Sequence, residues 1–324
     1  MTLFRLQSCG LVLGFIAVLA QSHVYAQTVT NQFASQSANS QLSTSQPSNK
    51  PSADGLRHYV VDIQILDPER QGEYCPTLLK MILNASKAQD ESIDFIYQDH
   101  HFSQARWFAE VQRNIGNSVI WTVTTKEREA LLQPIRFPVF KGLLGQRIFV
   151  IRKEDQALFS QINSLDDLAK LRAGQGIHWP DSDIMEANNL PVVVGAGAEN
   201  LYKMLKVKRF DYFPRGILEL MPEQKHIQAN NVVAEQDLLL SYPSAMYFFV
   251  NKKNTELAER IEKGWEIIIK NGEFDKFFYS HPRVVEAIAE LKRHKRRIIR
   301  LENPYLPVET PLDHPGYWLD ISKY

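Results

Sequence analysis

Cysteine is scarce in this chain of 324 residues, which has only Cys9 and Cys75. Cys9 precedes an apolar run near the start, where a lipoprotein cysteine cannot be, and Cys75 is left without an intramolecular disulfide partner once that start is removed. An excess of charge is lacking too. Lys plus Arg and Asp plus Glu both number 37, so no global field favours nucleic acid or an anionic membrane. The sequence has no Gly-x-Ser-x-Gly elbow, no zinc-hydrolase helix and no phosphate-binding P-loop. Gly195-Ala196-Gly197 lacks the third glycine of a dinucleotide loop. Asp99-His100-His101 has no Cys/His spacing around it that would complete a metal site, so neither metal nor cofactor is expected. The basic run Lys292 to Arg300 follows Glu286 and Glu290 at the end of a helical stretch. Basic residues there complement the helix dipole, and the run reads as a solvated face rather than a nucleic-acid patch.

What is present begins with an export signal. Arg5 and the amino terminus supply positive charge, Leu11 to Ala20 is uncharged and apolar, and Val24-Tyr25-Ala26 offers small residues for a peptidase. That order is a secretory signal peptide, with cleavage expected after Ala26. The apolar run is about half of what a bilayer span needs, and no later segment is long enough to be one. Residues 27–57 are rich in Gln, Ser, Asn and Thr, and bury too little to offset their ordering entropy, so a disordered leader is expected. The remainder is long enough for two lobes of ordinary domain size.

Across that remainder, short β-rich runs alternate with helical patterns. Tyr59 to Leu66, Ile93 to Tyr97, Ser118 to Val123 and Arg147 to Ile151 read as strands, with helices at Cys75 to Ala88 and Phe102 to Val111. Arg147 to Ile151 is apolar after its first residue, as in a strand covered on both faces. Ser164 opens a helix with Asp167 three residues on, and Ala173-Gly174 ends it. Strands at Gln175 to His178, Val192 to Val194, Phe210 to Phe213 and Ser244 to Val250 follow. Helices are expected at Asp183 to Asn188, Glu199 to Val207, Asn254 to Lys270 and Glu273 to Tyr279. The alternation argues for an α/β protein with mainly parallel sheets, whose ligands bind beyond the carboxyl ends of strands or between lobes.

Three segments carry a resemblance to a known family. Thr125-Lys126-Glu127-Arg128 followed by Phe137-Pro138-Val139-Phe140 and the strand RIFVIRK is one. Ser164 to Ile177 (SLDDLAKLRAGQGI) and Asn254 to Phe278, with its Asn271-Gly272 turn, are the others. In order and spacing these resemble family 3, amino-acid-type, periplasmic solute-binding proteins of ABC transporters, in a divergent branch. The resemblance implies a two-lobed type II periplasmic binding fold, with two sheets joined by two crossover segments. Lobe one is expected at 58–153 and 243–324 and lobe two at 154–242, with crossovers near Arg152 to Gln156 and Leu239 to Ser244.

The resemblance also nominates a site. Arg147 stands where the family pairs an arginine with the ligand's carboxylate, which a guanidinium fork matches well. The bland alternative is an arginine paired with an acid of its own chain. The loop before the helix at Trp179, Asp181 and Ser182 corresponds to a helix start that offers N–H groups to an anion. Asp181 or Ser182 could equally be its N-cap, and Trp179 could be loop packing or an aromatic wall. Arg215 falls where amino-acid receptors carry an acid for the ligand's ammonium. An arginine there favours an anion, unless it merely bonds carbonyls beside a proline turn. Tyr74, Trp121, Lys141 and Tyr242 lie where lobe-one loops or the hinge should face the cleft, though each could be structural.

The expected function is capture of a small polar or anionic solute in the periplasm by a monomer, for an ABC importer, with a membrane permease or sensor as the partner that reads the closed form. The rivals are a sensor or partner-binding protein without transport, and a dehydratase-like enzyme using Glu129, Asp181 or Glu219. The lead reading is binding without chemistry.

Overall fold

The computed structural model describes residues 55–64, 74–98, 104–177 and 179–324. The expected signal peptide, nearly all of the leader, the Asp99-His100-His101 segment and His178 lie outside the described residues.

In chain order the strands are β1 (Arg57–Gln64), β2 (Glu91–Gln98), β3 (Ser118–Val123), β4 (Gln133–Ile135), β5 (Gln146–Arg152), β6 (Ala173–Gly176), β7 (Val192–Gly195), β8 (Phe213–Gly216), β9 (Val232–Ala234), β10 (Leu238–Ser241), β11 (Met246–Val250) and β12 (Arg297–Arg300). They make two open sheets, β2-β1-β3-β11-β4 and β12-β10-β5-β8, with β9 also on β5. A third pair, β6-β7, is tied to Tyr212, just before β8, by a bridge from Ala173. The chain is thus a mixed α/β protein with open sheets.

Pairing is parallel at β1-β2, β1-β3, β6-β7 and β10-β12. Every antiparallel pair involves β5 or β11. These are the strands by which the chain passes between sheets with no long helix before them. A strand joined to its neighbour through a crossover helix returns in the same direction, whereas one reached by a direct passage is free to run the other way.

Helix Tyr74–Ser86 buries Leu78, Leu79, Ile82 and Leu83 against helix Thr255–Lys270, which contributes Leu257, Ile261, Trp265 and Ile268. Each such side chain is worth about 1.5–3 kcal/mol when fully buried. The two helices approach closely at Gly264, where an added Cβ would lie 2.1 Å from the Ile82 carbonyl oxygen. Helix Glu273–Ser280 follows after Gly272, whose φ of 80° is left-handed. No helix among the described residues is long and apolar enough to cross a membrane.

Three local expectations need correction. β5 belongs to the second sheet, pairing with β8, β9 and β10, so the first passage between sheets precedes Gln146 rather than following Arg152. All seven residues of this strand are buried, and a strand apolar on both faces reads equally well in either sheet. Ala173 and Gly174 open β6 instead of ending a helix, which stops at Leu168, because Gly174 N donates to the Tyr212 carbonyl. The basic run is helical only to Arg293; Arg297–Arg300 then pairs with β10, so this part of the tail lies in the second sheet and not with lobe one.

The tail continues across to the first sheet. Glu302 exchanges hydrogen bonds with Asn188, and Asn303 donates to the Pro243 carbonyl at 2.9 Å. Lys126 Nζ donates to the Pro304 carbonyl, and Leu319 N to the Lys141 carbonyl at 2.9 Å. The Tyr317 ring packs on Phe137. The tail is therefore a third link between the sheets.

Candidate functional site

The start of β5 places Arg147 against the helix Pro180–Ala187 and the loop after β8. Arg147 Nη2 donates to Asp181 Oδ1 at 2.5 Å, and Nη1 to Glu219 Oε2 at 3.3 Å. Its Nε has no hydrogen-bond partner, although the residue is only 6% exposed. The Tyr242 hydroxyl donates to the same Asp181 oxygen, and the Tyr242 ring lies 5.7 Å from the guanidinium. Burial alone would lower the Arg147 pKa. The negative charges of Asp181 and Glu219 outweigh that and raise it.

On the adjacent strand β8, Arg215 forms a two-point contact with Glu223, Nε–Oε2 at 2.8 Å and Nη2–Oε1 at 2.6 Å. The same Nη2 lies 3.2 Å from Glu219 Oε1. Its guanidinium also sits 4.9 Å from the Trp179 ring centre and 4.8 Å from that of Phe213. Glu219 joins the two arginines and accepts from Gly216 N at 2.8 Å. Burial pushes the Glu219 carboxyl up, but Arg215 and Arg147 more than reverse this and hold it below its usual value. The Tyr202 hydroxyl donates to Glu223, and burial first, then that carboxylate, keeps the phenol protonated.

Two guanidinium groups thus stand among three carboxylates. Arg215 alone would select an anion, but within this cluster its charge is already matched. Beside the cluster is a cavity of about 290 Å3 lined by Ala198, Glu219, Pro222, Glu223, His226 and Arg283. Arg283 reaches it from helix Pro282–Arg293, with Nε donating to the Leu218 carbonyl.

Of the residues nominated by sequence, Arg147, Trp179, Asp181, Arg215 and Tyr242 come together here. Ser182 is buried nearby, its hydroxyl 3.4 Å from the Gly176 carbonyl. The N-cap of the helix is Trp179, with Pro180 in the first turn, so neither Asp181 nor Ser182 caps it. The Trp179 ring covers Gly176, where a Cβ would meet it at 2.2 Å.

Tyr74, Trp121 and Lys141 are placed elsewhere. Tyr74 donates to the Val139 carbonyl and stacks on Phe140. Trp121 packs edge-on against Phe248. Lys141 Nζ is 2.6 Å from Asp275 Oδ1, among the rings of Phe274, Phe278 and Tyr279. Glu129 pairs with Arg136 and Thr124, so the three acids considered for catalysis do not assemble. Sequence reasoning missed Glu223. The available signal was its spacing: Arg215, Glu219 and Glu223 recur every four residues, which brings charges together when a chain turns helically.

No family model matches the chain, and no curated protein matches it. Solved structures are similar to it. An ancestral arginine-binding protein bound to arginine is 18% identical, over 68% of this chain and 96% of that one, with a TM-score of 0.45. A probable amino-acid ABC transporter extracellular-binding protein from Bacillus subtilis is 16% identical, over 69% and 97%, with a TM-score of 0.49. A histidine kinase sensor domain with similarity to periplasmic binding proteins is 14% identical, over 69% and 95%, with a TM-score of 0.45.

Proposed function

We propose that the chain is a periplasmic solute-binding protein that holds a small polar or anionic ligand, amino-acid-like or carboxylate, beside the Arg147–Arg215 cluster. The observation that carries this reading is Arg147. It is a buried guanidinium where the chain enters the second sheet, with a carboxylate on two of its nitrogens and its third nitrogen unpartnered. A guanidinium in this setting binds carboxylates by shape as well as charge. A ligand carboxylate takes the place of Asp181 or Glu219 and shifts the population toward the bound arrangement. The protein acts as an exported monomer that passes its ligand to a membrane permease, by binding without chemistry.

A second reading, a sensor or partner-binding protein without transport, draws support from the same cluster. Both arginines are already ion-paired with carboxylates of the chain, which suits a protein whose site is held shut until a partner acts on it.

The test is a thermal-shift screen of the purified protein against amino acids, dicarboxylates and other small anions. A ligand of the folded state at a hundred times its dissociation constant adds about 2.7 kcal/mol. A rise with one chemical class, abolished in Arg147→Ala, supports the receptor reading. A rise unchanged in Arg147→Ala removes Arg147 from the site.

A further inference from the structure

Arg147 and its neighbour Gln146 face opposite sides of β5, as successive strand residues do. Arg147 enters the ion-pair cluster. Gln146 lines a separate cavity of about 370 Å3. The in-register partner of Gln146 on β10 is Ser241, and the partner of Ser241 on β12 is Arg300. Strands lie about 4.8 Å apart, so this row of three polar residues spans roughly 10 Å across one face of the sheet. All three line the cavity.

The opposite wall comes from the tail: Leu312, Trp318, Leu319 and Ile321. Trp318 is fixed there by two contacts. Its Nε1 donates to the Pro311 carbonyl at 2.8 Å, and its ring lies on Gly142, where a Cβ would fall 2.5 Å from Cε3. Gly142 has φ +78°, so both its backbone and its neighbour require glycine.

Two ends of the polar row are open to an occupant. Gln146 is 8% exposed and its side-chain oxygen has no hydrogen-bond partner, which is unfavourable for a buried acceptor. Arg300 is exposed and, among the described residues, forms no ion pair. Lys141 also lines the cavity, but its ammonium is committed to Asp275. The cavity is therefore apolar on one wall, cationic at its mouth, and short of one hydrogen-bond donor inside. Its volume is in the range that small-molecule sites occupy, about 300–1,000 Å3.

We propose that this cavity is a second small-molecule site, separate from the ion-pair cluster, for a carboxylate with an aromatic or apolar body and an O–H or N–H group at its far end. The carboxylate meets Arg300, the body lies along Ser241 beneath Leu312 and Trp318, and the donor satisfies Gln146.

The probes are 4-hydroxybenzoate, benzoate and phenol, with binding to the purified protein measured by calorimetry and ligand-observed NMR. The expected result is saturable binding of 4-hydroxybenzoate, with benzoate and phenol each at least tenfold weaker. Arg300→Ala, on an exposed side chain, should bring 4-hydroxybenzoate down to the affinity of phenol. Gln146→Leu, which keeps the volume, should bring it down to that of benzoate; circular dichroism checks that each variant folds. If Gln146→Leu does not fold, Arg300→Ala decides alone. No saturable binding of 4-hydroxybenzoate at millimolar concentration overturns the proposal, as does binding that Arg300→Ala leaves unchanged.

Discussion

Arg147 and Asp181 are 34 residues apart in the chain, yet their side chains meet at 2.5 Å with both largely buried. Removing one partner of such a pair leaves the other charge without compensation. Asp181→Asn keeps the shape and removes the charge, leaving Arg147 with Glu219. It should lose about 1–3 kcal/mol of stability in urea unfolding. Added acetate or succinate should recover more stability in this variant than in the parent. A variant as stable as the parent would mean that Asp181 does not hold Arg147.

Arg215→Lys tests whether the two-point contact with Glu223 and the stacking on Trp179 and Phe213 matter beyond charge. An ammonium lacks the planar fork and stacks less well. Equilibrium unfolding should show a loss of about 1–3 kcal/mol although the charge is kept. No loss would reduce Arg215 to a point charge.

Glu219 sets a dependence on pH. Its folded pKa lies below the ordinary value of 4.5, with burial opposing the shift and Arg215 and Arg147 driving it. The carboxylate therefore contributes stability fully above about pH 4.5, and that contribution is lost as pH falls through the lower folded value. Urea midpoints between pH 3 and pH 6 should fall less steeply on acidification in Glu219→Gln than in the parent. Equal slopes would show that the ion pairs around Glu219 are not what acid removes.

Gly264→Ala reverses a usual rule. In most helix interiors the change stabilises by about 1 kcal/mol. Here the new methyl would sit 2.1 Å from the Ile82 carbonyl oxygen, on backbone that cannot step aside. Overpacking should cost about 1–3 kcal/mol in denaturant unfolding. A stabilised variant would show that the two helices are not in the close contact described.

Much of the fold was legible because its signals are local. The Ser164 cap is in place, with its hydroxyl accepting from Asp167 N, and the Gly272 stop separates the two helices as the sequence suggests. Where sequence failed, the deciding contact was remote. Nothing within Arg297–Arg300 says that it pairs with β10, since it is only four residues long and ends a basic run that follows a helix. The sheet that owns β5 was equally hidden, because burial on both faces erases the two-residue period that would point it one way. At the site, the family resemblance singled out Arg147. Asp181 and Glu219 were candidates too, but their pairing with Arg147 was not legible, since they reach it from separate elements and only the folded chain brings them there.

The tail has a mechanical consequence. Two bodies joined at two points can turn about the line through those points, which is what makes a hinge. The passages before Gln146 and after Ser241 are two such points, and they lie side by side where β5 and β10 pair. The tail adds a third anchorage, running from β12 to Lys126 and Lys141. A third fixed point off the line removes the free rotation. Any change of angle between the sheets must then bend the strands or peel Asn303, Tyr317 and Trp318 from their seats, so stiffness here depends on the tail beyond Arg300.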